Sequence, residues 1–235
     1  MKIIPHEQIK ELYEQYVKIN YTTEYQNRYI PLPTQYNNKK WKWEGKDFPR
    51  IISLLEFERF ILKYDFKIDN LLIFNETGDP EIEYLDGRVA NITNIEYDLD
   101  PTNNDLHGLN LPHKMFDFVC LHQTLEHVYN PYQCLANIKS HMSPNGYLYV
   151  NVPACNAPHS EPFHYFTGIT PMGLAAIAHQ ANFKILEIGQ WGNEEYLIKL
   201  WTRNPGWSDY TQLQNPGLNQ MHNPVITWGL FQNLI

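Results

Sequence analysis

From residue 70 onward, short apolar runs alternate with segments that open on a polar residue followed by proline. The runs are "NLLIF" (70–74), "ANITNIEYDL" (90–99), "FDFVCL" (116–121), "YLYVNV" (147–152), "FKILEIGQW" (183–191) and "PVITWGLF" (224–231). Between them stand "GDPEIEYL", "NPYQCLANIKSHM" and "TPMGLAAIAHQAN". There Asp79, Asn130 and Thr170 can cap a helix, and Pro80, Pro131 and Pro171 suit its first turn. Strands alternating with helices imply a mostly parallel sheet covered on both faces. "FDFVCL" has the continuous apolarity of a strand buried on both sides. The last two runs show no clear helix between them and read as an antiparallel edge pair.

Before residue 68 the pattern differs. "PHEQIKELYEQYVK" repeats Ile9, Leu12, Tyr13, Tyr16 and Val17 at helical spacing, and "RIISLLEFERFILKY" is a second amphipathic helix. Between them lies an irregular arm, "NYTTEYQNRYIPLPTQYNNKKWKWEG", whose aromatics are expected to pack on the domain. The chain therefore divides into an N-terminal helical and aromatic arm, 1–67, and a main domain, 68–235. A formal charge of -8 with no Lys/Arg cluster excludes a general nucleic-acid binder. Cys120, Cys134 and Cys155 have no CxxC spacing, and the first two read as buried free thiols. No signal-peptide pattern and no apolar run near the roughly 18 residues of a membrane span are found, so a cytoplasmic protein is expected.

Two runs carry paired histidines, "LHQTLEH" (121–127) and "PHSEPFH" (158–164). Helical zinc motifs place two histidines one turn apart on one face. Here His122 and His127 are separated by five positions, which leaves the rings roughly 140° apart on an ideal helix. His159 and His164 repeat that spacing across Pro162, so neither run reads as a metal site. G-x-S-x-G, the P-loop and G-x-G-x-x-G are all absent. What remains is the carboxyl end of an open parallel sheet, where such folds bind ligands. The segments "FNETGD", "EYDLD", "NDLHGL" and "LHQTLEH" load that end with polar groups.

Together, "LPHKMFDFVCLHQTLEHVYNPYQCLANIKSHMSPNGYLYVNVP" and "EPFHYFTGITPMGLAAIAHQANFKILEIGQWGNEEY" resemble the class I S-adenosylmethionine-dependent methyltransferases, in a subgroup associated with sugar modification. The resemblance covers roughly residues 68–235. It implies an α/β, Rossmann-like sheet, mostly parallel with an antiparallel edge strand, with helices on both faces. It implies S-adenosylmethionine as cofactor, with Asn75, Glu76, Thr77 and Gly78 under the methionine moiety. Glu96 would hold the ribose hydroxyls, with Asp98 as a close alternative. Asp105 and Leu106 would meet adenine, while Leu121 and Gln123 would line the reactive side. The family loop h-x-x-G-x-G-x-G keeps only Gly78 here, and its missing glycines bear on how closely backbone can approach the ligand.

By the same resemblance, the expected activity is methyl transfer to a small molecule, most plausibly O-methylation of a sugar or nucleotide-sugar hydroxyl. N-methylation of an amino sugar and an inactive methyltransferase-like binding module are the alternatives. A hydroxyl acceptor needs a base, and His122 is the first candidate, followed by His164 and His159. His127 is assigned to the framework. A homodimer is compatible with this reading.

Overall fold

A computed structural model describes residues 3–31, 43–74, 80–85, 87–95, 105–111 and 115–234. Among the described residues six strands form one sheet: β1 (Ile68–Ile73), β2 (Val89–Asn94), β3 (Phe116–His122), β4 (Met142–Pro153), β5 (Lys184–Gly192) and β6 (Pro224–Gln232). Their order is β2-β1-β3-β4-β6-β5. The first four run parallel. β6 is antiparallel to both β4 and β5, so the expected α/β sheet with antiparallel pairing at one edge is present. β4 starts earlier than its apolar run suggests. The register jumps from Phe116↔Met142 to Phe118↔Tyr147, so residues 143–146 bulge out, with Asn145 in the left-handed region at φ 62.

The described helices are α1 (His6–Leu12), α2 (Thr23–Asn27), α3 (Phe48–Tyr64), α4 (Pro80–Tyr84), α5 (Pro131–Ser140), α6 (Pro171–Gln180) and α7 (Glu194–Thr202). Two of the predicted caps form: Asn130 accepts from the Gln133 N–H and Thr170 from the Gly173 N–H. Asp79 lies outside the described residues. The first helical run does not continue as one α-helix; it widens to a π-turn at Tyr13–Val17 and then tightens to a 3₁₀ turn, Lys18–Tyr21. Leu12 and Val17, both buried, would lie roughly 140° apart on an α-helix, and the wider turn brings them to one face.

Helix α7 corrects the expectation of no clear helix before the last strand. It is capped by Asn193, which accepts from the Tyr196 N–H, and it buries Tyr196 and Leu200 one turn apart. Exposed Ile198 and Trp201 blur that stripe in the sequence.

The sheet separates two cores. On one face Phe57 and Phe60 of α3 pack with Phe118, Cys120 and Tyr149. On the other, Leu135 and Ile138 of α5 and Leu174 and Ala178 of α6 pack with Val119, Leu121 and Val150. The N-terminal arm contributes to both, Leu12 and Val17 to the second core and Tyr25 and Tyr29 to the first. Its π-turn touches both β5 and α6, so it crosses the edge strand of the sheet. Covering an edge in this way removes a template for strand addition. Tyr25, Tyr29 and Trp43 are buried, in line with a packing role for the arm's aromatics; Trp41 is outside the described residues. Cys120 and Cys134 are buried free thiols, as expected.

Candidate active site

The parallel strands end side by side. Ile73 pairs with Asn94 of β2 and with Cys120 of β3, and His122 pairs with Asn151 of β4. All four carboxyl ends therefore open on one rim. Alternation along β3 turns Phe118 and Cys120 toward α3 and sends Leu121 into the opposite core. His122 follows Cys120, and its ring lies against Phe57 and Tyr149, with centroids 5.8 and 5.5 Å away.

His122 is buried at 3% exposure and belongs to a polar cluster beneath the rim. Its Nδ1 is 2.7 Å from Asn151 Nδ2 and 3.1 Å from Glu81 Oε1. Arg50 of α3 clamps Glu81 with both guanidinium nitrogens, one of them 2.6 Å from Oε2. Gln123 Nε2 donates to Asn151 Oδ1 at 2.7 Å, which turns the Asn151 amide group toward His122. The Nε2 of His122 is buried without a hydrogen-bond partner. Burial, and then the Arg50 charge, hold its pKa well below 6.5, so the imidazole stays neutral. Gln123 itself leaves the strand at φ 50, with its N–H donating to the Asn151 carbonyl at 3.0 Å.

Asp105 and Leu106 sit in a turn at the same end. Asp105 Oδ1 accepts from the His107 N–H at 2.9 Å and from its ring Nδ1 at 2.6 Å. The far ring nitrogen of His107 accepts from the Asn130 N–H at 3.2 Å, tying this turn to the start of α5. Burial works to raise the Asp105 pKa, but the His107 hydrogen bonds outweigh it and hold the carboxyl below its usual range. Leu106 is buried. Asn75, Glu76, Thr77, Gly78, Glu96 and Asp98 lie outside the described residues.

The two histidine runs, treated separately in the sequence, converge. His127 ends a 3₁₀ turn, Leu125–His127, and its ring stands 4.9 Å from that of His159 and 5.6 Å from that of His164. His159 and His164 are 4.6 Å apart. The loop carrying them is clipped back by the Tyr165 N–H, which donates to the Glu126 carbonyl at 2.9 Å. Glu126 is fully buried, and neither carboxylate oxygen has a hydrogen-bond partner. Burial pushes its pKa up to about 8. Burial also lowers the pKa values of His127 and His164, so these two rings are neutral at pH 7. Phe163, Tyr165 and Trp207 are exposed, with Trp207 6.1 Å from His159, and exposed Tyr129 lies 6.0 Å from Tyr165.

Sequence reasoning does not single out Arg50, Glu81 or Asn151, and it gives Glu126, within the run "LHQTLEH", no role. Asn151 carried one signal, as a lone amide in the apolar run "YLYVNV". A cleft of about 680 Å³ lined by Asp65, Lys67, Gly87 and Arg88 lies at the opposite end of β1 and β2, remote from these groups.

Comparison with solved structures gives the same fold. The N-methyltransferase NodS from Bradyrhizobium japonicum WM9, in complex with S-adenosyl-L-homocysteine, aligns over 88% of this chain and 98% of its own, at 13% identity and a TM-score of 0.50. An S-adenosylmethionine-dependent methyltransferase from Clostridium acetobutylicum ATCC 824 aligns over 80% of this chain and 92% of its own, at 8% identity and a TM-score of 0.53. No curated protein matches the chain by sequence. The family model described as "Methyltransferase domain" matches residues 70–194, spanning β1 to the start of α7 and all four parallel carboxyl ends. The chain belongs to this family of S-adenosylmethionine-dependent methyltransferases.

Proposed function

We propose that the chain methylates a hydroxyl of a small molecule, with a sugar or nucleotide sugar as the acceptor class. The acceptor side carries this reading, because the imidazoles there stand beside exposed aromatic rings. Aromatic faces bind the apolar faces of sugar rings, and histidines exchange hydrogen bonds with the hydroxyls between them.

The described residues fit the cofactor at the rim. A buried, unpartnered Nε2 on His122 and the left-handed turn at Gln123 mark a polar end of β3 beside the end of β1. In this reading Asn75, Glu76, Thr77 and Gly78 hold the methionine portion, and Glu96 or Asp98 the ribose diol. Asp105 meets the adenine amine beside Leu106, while Leu121 and Gln123 border the reacting centre. When bound, S-adenosylmethionine supplies a methyl carbon already activated on a sulfonium sulfur. Positioning the acceptor can then account for roughly 7–11 kcal/mol of the barrier. With its Nδ1 proton donated to Glu81, 3.1 Å away, the neutral ring keeps the Nε2 lone pair free, and His122 takes the hydroxyl proton there. His159 and His164 hold the acceptor side.

An acceptor screen against sugars, nucleotide sugars and amino sugars, read as a mass gain of one methyl group, tests the proposal. Methylation of a hydroxyl on a nucleotide sugar is expected. His122→Ala should keep cofactor affinity while turnover falls about 10²–10⁴-fold. Methylation confined to amines would overturn the hydroxyl assignment, and unchanged turnover in His122→Ala would remove His122 as the base.

A further inference from the structure

We infer that His127, His159 and His164 together bind one divalent transition-metal ion of the zinc class, with the Glu126 carboxylate beside it. Each ring offers one nitrogen, and the three nitrogens lie within 4.8 Å of one another. Around a shared zinc ion, with bonds of about 2.0–2.1 Å, ligand nitrogens sit roughly 3.3 Å apart. Small side-chain rotations close that difference.

The hydrogen bonds around the rings set them up as ligands. His127 Nδ1 lies 2.9 Å from the Phe163 carbonyl oxygen, and His159 Nδ1 lies 3.0 Å from that of Ala157. A carbonyl only accepts, so each Nδ1 carries the proton and each Nε2 presents a lone pair. Metal-bound histidines are oriented by this kind of second contact. His164 has both ring nitrogens buried and unpartnered. Buried polar groups almost always have partners. The same holds for the two oxygens of Glu126, whose Oε1 is 3.8 Å from His127 Nε2, beyond hydrogen-bonding reach. A dication among these groups would satisfy them together. The ligand-bearing backbone is already fixed, by Tyr165 on Glu126 and by the Phe163 N–H on the Ser160 carbonyl at 3.0 Å.

Three imidazoles beside a carboxylate suit zinc and its neighbours, and three nitrogen ligands leave a position for an oxygen ligand. That this position receives an oxygen of the acceptor, in place of direct hydrogen bonds from the rings, rests on the O-methyl-transfer reading. The metal site itself does not.

The test uses the full chain, stripped with a chelator, re-equilibrated with Zn²⁺ and dialysed. Elemental analysis should find about one zinc per chain, and Zn²⁺ should raise the melting temperature. Co²⁺ should give visible d–d absorption that Zn²⁺ displaces. His159→Gln and His164→Gln, each checked for folding by circular dichroism, should weaken metal binding about tenfold or more. His179→Gln, on α6, should not. Substoichiometric zinc in the wild-type chain would overturn the inference, as would equal zinc retention by the folded double variant. Calorimetry of S-adenosylhomocysteine on the stripped chain reports cofactor binding separately, so the two readings can fail independently.

Discussion

Asn151 and Glu81 hold the ring of His122 from one side, while Phe57 and Tyr149 close it from the others. The consequence is a titration effect with a definite sign. In the folded chain the His122 pKa lies well below 6.5, so below that pH the unfolded chain binds the extra proton first. Stability contributed by the neutral ring is present above about pH 6.5 and is lost as pH falls toward the folded pKa, by about 1.4 kcal/mol per pH unit. His122→Asn should flatten that slope between pH 6.5 and 5 in urea denaturation. Parallel slopes for wild type and variant would contradict the assignment.

At this scale the sequence was only half legible. The position of His122 at a strand end follows from the run "FDFVCL" and its boundary. Its partners do not, because Arg50, Glu81 and Asn151 come from three elements that only the sheet brings together. The same limit applies to His127. Spacing within "LHQTLEH" sets His127 apart from His122, yet it carries no information about a loop more than thirty residues further on.

Elements were more legible where local chemistry decides them. The cap-and-proline pairs at Asn130 and Thr170 start α5 and α6 where expected, since the cap bonds to an N–H three residues away. Helix α7 is hidden in the sequence because Ile198 and Trp201 face outward. The π-turn escaped because tertiary burial of Leu12 and Val17 overrides local propensity. One element boundary matters for the site. Where the histidine loop rejoins the domain, Gly168 lies so close to β4 that a Cβ there would be 2.0 Å from the Ala154 carbonyl oxygen and 2.7 Å from the Cys155 nitrogen. Backbone cannot yield as a flexible side chain does. Gly168→Ala should therefore cost about 1–3 kcal/mol and displace the loop that carries His159 and His164. A thermal melt reads the stability, and an unchanged midpoint would show that the loop has slack.

For the molecule as a whole, charges and aromatics join the arm to the domain. Within the arm, Arg28 and Arg59 both hold Glu56 of α3, and Arg59 crosses to Glu187 on β5. Tyr29 meets Trp228 of β6 edge-on at 6.2 Å. The arm thus secures the β5 edge, far along the sheet from β1 and β2. In the function proposed here the parallel carboxyl ends are the working side, with Asp105, His122 and Gln123 along it and the histidine group beyond β4. On the proposed reading this rim binds S-adenosylmethionine even though its loop retains only Gly78 of the family's glycines. Calorimetric titration of the full chain with S-adenosylhomocysteine tests it most directly. Saturable binding of one ligand per chain, competed by S-adenosylmethionine, is expected. The absence of heat and of any thermal shift at millimolar ligand would contradict it.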